Sequence, residues 1–188
     1  MIDKNQIVEK AIEKFLLLGS KQVTLDELAT MLGISKKSIY KHFPSKKELV
    51  NTSIEALIAS FRKDADQILE MERKPLKTIV LLYDTVFDYL QRFSPPFLCE
   101  LKKYYPEALV IYNDFRHEFV SATVIPLLKK ARQDGSIQSE VDLELFCHLH
   151  LQGLHHRLLG PNYLFDRYTK KQLIDYMIVN SLRGISTQ

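Results

Sequence analysis

Apolar residues recur at spacings of three and four along almost the whole chain, and no stretch alternates apolar with polar as a half-buried strand would. That periodicity leaves one fold class open, an all-α protein. The punctuation between helices is equally legible. Ile7, Ala11, Phe15 and Leu18 make one stripe of a first helix that Gly19 ends. Thr24-x-x-Glu27 is a capping box opening a second helix with Leu25, Leu28, Ala29 and Leu32 inward, and Gly33 stops it. Ser35 can cap a third, short helix that reaches about His42, where Phe43-Pro44 ends it. Ser45-x-x-Glu48 starts a fourth, predicted to run to around Glu70.

Further along, Pro75 suits the first position of a helix whose broad apolar face carries Leu76, Ile79, Val80, Tyr83, Val86, Phe87 and Leu90. Pro95-Pro96 interrupts, and a short helix leads to Tyr104-Tyr105-Pro106. From Glu107 to Gln133 the pattern is helical again, with Tyr112, Phe115, Phe119 and Ala122 on one face and a kink expected at Pro126. Two last helices, roughly Asp142 to Leu159 and Thr169 to Ile185, are separated by a turn at Gly160-Pro161-Asn162.

The formal charge of +3 is unevenly spread. Residues 1–50 hold nine Lys and six Asp or Glu, whereas residues 51–188 hold 17 basic and 17 acidic residues. Between Ile34 and Lys47 stand five lysines and no carboxylate, the local footprint of a surface that meets phosphates. Such a run is often only a solvated face, so its meaning depends on what carries it. Here helices two and three are joined by a few residues, with small Ala29 where two helices cross closely and Gly33 where the backbone turns left-handed. Ile34 and Ile39 anchor the third helix, leaving Ser35, Lys36, Lys37, Ser38 and Lys41 on its outer side. Mechanically this is a helix-turn-helix, with the third helix's N-terminus directed at a major groove.

The stretch from Leu25 to Leu49 resembles the N-terminal signature of the TetR family of transcriptional repressors. Leu32-Gly33-Ile34-Ser35, then Ile39-Tyr40-x-His42-Phe43, then Lys46 or Lys47 and Leu49 carry the likeness without a gap, over about a quarter of the chain. The resemblance implies a DNA-binding domain at 1–47 and an effector-binding and dimerisation domain at 48–188. It implies that Lys36, Lys37 and Ser38 approach base edges while Tyr40, His42, Lys46 and the neighbouring Lys47 hold phosphates. Thr24 would offer a hydroxyl and backbone N–H groups at the positive end of the second helix. Other roles are open on the residues alone: Tyr40 could pack between helices, His42 could close the short helix, and Ser35 could be only a cap.

Specific sites are usually read by a two-fold dimer whose half-sites lie about 34 Å apart, so a homodimer is expected on double-stranded DNA. Ile174, Ile178, Leu182 and Ile185 form the stripe assigned to that interface, although Leu173, Tyr176, Met177 and Val179 make the helix apolar all round. The resemblance also implies a pocket for a small apolar effector, for which Tyr83, Phe87, Phe97, Tyr112, Phe115 and Phe119 are the candidates. Filling it would shift the fourth helix, separate two reading heads and lower DNA affinity. The expected activity is repression relieved by that effector. The alternative is a helical ligand-binding module or enzyme whose basic head holds DNA without sequence preference.

Other classes find little support. No catalytic constellation is visible, neither a Gly-rich phosphate loop nor a Gly-x-Ser-x-Gly elbow nor a di-iron Glu-x-x-His pair. Cys99 and Cys147 lack disulfide or zinc spacing, and Cys147, His148, His150, His155 and His156 contain no histidine pair at i,i+4, so no metal or other cofactor is expected. No membrane-spanning run and no secretory core are visible, which makes a cytoplasmic location the expectation.

Overall fold

The computed structural model describes residues 2–187 apart from Gln152, Pro161 and Asn162, and the side chains of all of these except Pro96 and Leu98. Twelve α-helical segments follow one another among the described residues, and the sole extended pairing there is an antiparallel bridge between Ile137 and Ser186. No helix of the described residues is long and apolar enough to cross a membrane. The chain divides into two compact units, one of residues up to Ser60 together with Arg92–Asn113, the other of Phe61–Gln91 together with Asp114 onward.

In the first unit, α1 (Lys4–Leu18) is opened by Asp3, whose carboxylate accepts from the Gln6 N–H at 2.9 Å while the Gln6 side chain answers on the Asp3 N–H at 3.0 Å. It buries Ile7, Val8, Ala11, Phe15 and Leu16; Leu18, expected inward, is exposed because the helix ends there at Gly19, whose φ is +85°. α2 (Leu25–Leu32) and α3 (Lys36–Tyr40) come next, then the part of α4 (Lys46–Leu69) that contributes Leu49, Val50, Ile54 and Leu57 to the core. Two later segments complete the unit. α6 (Pro95–Tyr104) and the first half of α7 (Pro106–Glu118) bury Phe97, Leu101, Ala108 and Tyr112 in it, and Phe93 just before α6 is buried with them.

The first compact unit thus extends beyond the expected boundary at residue 47 and takes in residues 92–113. The head is discontinuous in sequence, because the apolar face of residues 93–112 says that it must be buried but not against what. Each fully covered Phe or Leu there contributes roughly 1.5–3 kcal/mol, enough for the late segments to matter to the head's stability. Polar contacts fix the arrangement. The Ser94 N–H donates to the Leu16 carbonyl at 2.9 Å, and Asn51 Nδ2 donates to Glu107 at 3.0 Å.

In the second unit, α5 (Pro75–Gln91) presents Ile79, Leu82, Tyr83, Phe87 and Leu90 to the interior. Phe61, Ala65 and Leu82 form a core that Phe115, Phe119, Tyr89 and Leu127 flank. After α7 the helix widens to π geometry over Phe119–Val124 before α8 (Ile125–Gln133). This is the form the expected break at Pro126 takes: the proline ring cannot accept a normal turn against the carbonyl four residues back, and the turn before it opens. The last helices are likewise interrupted by π segments. α9 (Leu143–Phe146) passes through Cys147–Leu151 before α10 (Leu154–Leu158), and α11 (Lys170–Ile174) passes through Asp175–Val179 into α12 (Asn180–Ile185). Asp142 and Thr169 cap α9 and α11 where the sequence places their starts; Pro161 and Asn162 of the expected turn lie outside the described residues. Lys170 ties α11 to α5, with Nζ 3.0 Å from Asp84 and 2.7 Å from Asp88.

Candidate nucleic-acid interface

Gly33 takes φ +65°, a left-handed conformation that closes α2 and turns the chain into α3; its N–H reaches the Thr30 carbonyl at 3.1 Å and the Ile34 N–H the Ala29 carbonyl at 3.0 Å. Beneath α3, Leu28, Ile39 and Phe43 have no exposed surface, which locks the short helix on its inner side. Its outer side is what remains for a partner. Ser35, Lys36, Lys37, Tyr40, Lys41, His42 and Lys47 are exposed, and Ser38 and Lys46 are half-buried. Tyr40, 47% exposed, does not pack between helices. Ser35 is the cap of α3, its Oγ accepting from the Ser38 N–H at 3.2 Å and lying 2.9 Å from the Ser38 hydroxyl.

Several expected contacts are held by neighbours. Lys36 Nζ lies 2.7 Å from the Asp26 carboxylate, which raises the lysine's pKa and leaves the ammonium paired on the surface. At the start of α2 the Glu27 carboxylate accepts from the Thr24 N–H at 2.7 Å and from its hydroxyl at 2.9 Å. Those hydrogen bonds hold Glu27 below the usual carboxylate range and engage the Thr24 hydroxyl that was expected to meet a phosphate. Lys46 is partly withdrawn from water, with Nζ 3.5 Å from the Lys21 carbonyl, and that burial lowers its pKa. Lys37, Tyr40, Lys41 and Lys47, also expected to face DNA, are exposed on this side.

Sequence reasoning missed Lys4, whose Nζ stands 5.4 Å from the centre of the Phe43 ring beside the end of α3. A lysine in the first turn of α1 carries no periodic signal, and only the fold brings it there. The first unit holds twelve Lys and Arg against nine Asp and Glu, and the second holds fourteen of each. All of the net charge of the protein, +3, lies in the unit that carries α3.

The six aromatic candidates for an effector are divided between the two compact units. Phe97 and Tyr112 belong to the first unit, each packed on Phe93 with ring centres 5.6 and 6.1 Å apart. Tyr83, Phe87, Phe115 and Phe119 belong to the second, where Tyr83 meets Phe119 at 6.1 Å, Phe115 meets Phe119 at 6.2 Å and Phe87 meets Phe165 at 6.0 Å. One shared stripe on a helical wheel cannot distinguish two cores. The Tyr83 hydroxyl is fully buried without a hydrogen-bond partner, and burial pushes its pKa well above the ordinary value.

The stripe expected at a dimer interface is largely covered within the chain itself. Ile174, Ile178 and Leu182 are buried within their own unit, and half-buried Ile185 offers its carbonyl to the Gln138 N–H at 3.0 Å. Because the last helix is apolar on all sides, its sequence does not say which side faces inward. Large apolar side chains left in water in this unit include Leu145, Leu149 and Tyr176, exposed by 53%, 57% and 76%, besides Leu69, Met71 and Tyr168. Cys147 is buried and its thiol is pushed up to about 11, chiefly by that burial. Among the described residues no three His, Cys, Asp or Glu side chains converge as a metal site would require.

A small helix beneath a cationic outer surface, rigidly mounted by a left-handed glycine turn, defines a helix-turn-helix transcriptional regulator. Residues 7–52 match the family of bacterial regulatory proteins of the tetR type. The chain is 27% identical over 178 residues to YvaF, an HTH-type transcriptional regulator of Bacillus subtilis (strain 168), covering 93% of this chain and 92% of that one. It is 34% identical over 74 residues to the nucleoid occlusion factor SlmA of Aliivibrio fischeri (strain MJ11), a match to 39% of this chain and 38% of that protein. A transcriptional regulator from Cytophaga hutchinsonii shares the fold with a TM-score of 0.74 at 21% identity, over 97% of this chain and 98% of that one. Residues 7–52 are thus similar to the DNA-binding segment of the tetR family, and the likeness to an HTH-type transcriptional regulator extends over nearly the whole chain.

Proposed function

We propose that the protein is a repressor that binds a palindromic operator as a homodimer and is released by a small apolar effector. The observation that carries this reading is the outer side of α3, where Lys37, Tyr40 and Lys41 stand in water above a fully buried Ile39. Lysine can donate to guanine O6 and N7 in the major groove, and the aromatic and cationic groups around it suit phosphates. Five residues of helix read too few base pairs for a unique site, so two copies are needed.

The surface that suits a second copy is the exposed apolar set Leu145, Leu149 and Tyr176. A two-fold interface must be self-complementary, and apolar side chains on neighbouring helices meet that condition without paired charges. The effector is assigned to the second unit, where the unpartnered Tyr83 hydroxyl lies among aromatic rings and offers a donor to a ligand acceptor. Release requires only that this ligand bind better to the form that does not hold DNA.

The test is selection of bound fragments from a genomic library across a range of salt. Enrichment of an inverted repeat with half-sites about one helical turn apart supports the reading. Binding with no enriched sequence at any salt would overturn it in favour of sequence-independent DNA attachment.

A further inference from the structure

We propose that the C-terminal end of α6 and the turn between α1 and α2 form a second phosphate-holding surface on the DNA-binding head, with Lys21 and Lys103 as its two cations. Lys21 Nζ stands 5.4 Å from the centre of the Tyr104 ring and Lys103 Nζ 5.2 Å from it, so two ammonium groups separated by 82 positions in sequence converge on one ring. Lys103 first, and Lys21 after it, also draw on the Tyr104 hydroxyl and lower its pKa. Both lysines are exposed, as is Lys102 beside them, whereas Tyr104 is half-buried.

Two like charges gathered in this way repel each other, and an anion between or above them relieves the repulsion. The backbone that carries each lysine is held in place. The backbone of Lys21 is fixed on both sides, its N–H donating to the Glu100 carboxylate at 2.7 Å and its carbonyl accepting from Lys46 at 3.5 Å. Glu100 accepts at 2.9 Å from the Ser20 hydroxyl, which has no exposed surface, so its charge is directed onto the turn. The same contacts hold α6, and with it Lys103, against the turn.

The anion that fits is a phosphodiester of duplex DNA. The patch adjoins Lys46, at the start of α4, and lies three residues before Thr24, which caps α2. It lies in the unit that holds all the net positive charge. Contacts of this kind set orientation and affinity without reading bases. The proposal rests on the head being a DNA reader.

The experiment uses the full chain and a mixed-sequence duplex, with binding constants measured as a function of salt for the wild type, Lys21→Gln, Lys103→Gln and the double variant. Each lost phosphate contact lowers the slope of log K against log salt by about 0.9, so the double variant is expected to lose roughly 2 units of slope. Lys63→Gln, an exposed lysine in the neutral unit, is expected to leave the slope unchanged. Unchanged slopes in both lysine variants would overturn the proposal, as would weakened binding that tracks a fall in melting temperature, since that marks the lysines as a structural clasp on Tyr104. A wild type with no salt-dependent binding would overturn the DNA reading itself, and this inference with it.

Discussion

The Ser20 hydroxyl, without any exposed surface, donates at 2.9 Å to the carboxylate of Glu100, a residue eighty positions later in the chain. With the Lys21 N–H on the same carboxylate at 2.7 Å, this pair joins the α1–α2 turn of the DNA-binding head to α6. Removing one partner strands the other, and a buried hydroxyl left without an acceptor costs about 1–3 kcal/mol. Glu100→Ala is expected to lower the free energy of unfolding by that amount and so to lower the denaturant midpoint, with Glu100→Gln losing less because an amide oxygen still accepts. Equal midpoints for wild type and Glu100→Ala would show that the turn holds without it.

Gly19 precedes that turn with φ +85°, and a Cβ built on it would come within 2.9 Å of the Glu100 carboxylate. Gly19→Ala therefore meets both an unfavourable backbone region and a close oxygen, and is expected to cost about 1–3 kcal/mol. Paired with Glu100→Ala, part of that cost disappears, because one of the two conflicts has gone. A double-mutant cycle on the denaturant midpoints measures it, and strict additivity would refute the close contact as a source of strain.

Lys36 is paired with Asp26 in the free protein. Asp26→Asn removes a carboxylate beside the DNA-facing side of α3 and frees the ammonium, so affinity for a mixed-sequence duplex is expected to rise several-fold at low salt and to converge with wild type as salt increases. The raised pKa of Lys36 does not enter at neutral pH: its stabilising effect is complete below the unfolded value near 10.5 and fades only in more alkaline solution. Fluorescence anisotropy at two ionic strengths is sufficient, and an affinity lowered at both would mean that Asp26 positions Lys36 for binding.

The residues expected to join two copies and those now assigned to that role give opposite results. Ile178, without exposed surface, is part of the core, and Ile178→Ala is expected to cost about 2–5 kcal/mol. Tyr176→Glu and Leu149→Glu, both at exposed positions, are expected to leave the melting of each protomer nearly unchanged while shifting the sedimentation coefficient from dimer to monomer. A dimer that survives both charge substitutions would place the interface elsewhere.

Tyr83→Phe deletes a buried hydroxyl that lacks a partner. Stability is expected to stay level or to rise by up to ~1 kcal/mol, the opposite of the loss seen when a satisfied hydroxyl is removed. Calorimetry checks the sign, and a loss of 1 kcal/mol or more would show that the hydroxyl is satisfied in solution.

Much of this architecture could be read from residues alone because caps and breakers act locally. Asp142, Thr24, Ser35 and Thr169 each cap the helix whose start they were expected to mark, since a side-chain oxygen accepting a nearby N–H needs no knowledge of the rest of the fold. The exposed side of α3 was legible for the same reason: five residues with one buried isoleucine leave little choice of face. What local signals leave open is which distant surface an apolar face meets. Phe97 and Phe119 look alike on a helical wheel yet lie in different units, and Ile178 and Tyr176 share a helix apolar on all sides. The capping box of Thr24 and Glu27 was legible, although it draws on the same helix start as an anion site would; the pairing of Lys36 with Asp26, ten positions apart, was not.

The discontinuous head has a consequence for the order of events during synthesis. Its buried Ser20 waits for Glu100, and the Leu16 carbonyl waits for Ser94. At about 5–20 residues per second, translation therefore runs for some seconds after α3 has left the ribosome before residues 92–113 can close the head over it. The reader of DNA is the first part of this chain to be made, and one that cannot be finished until the chain is more than half complete.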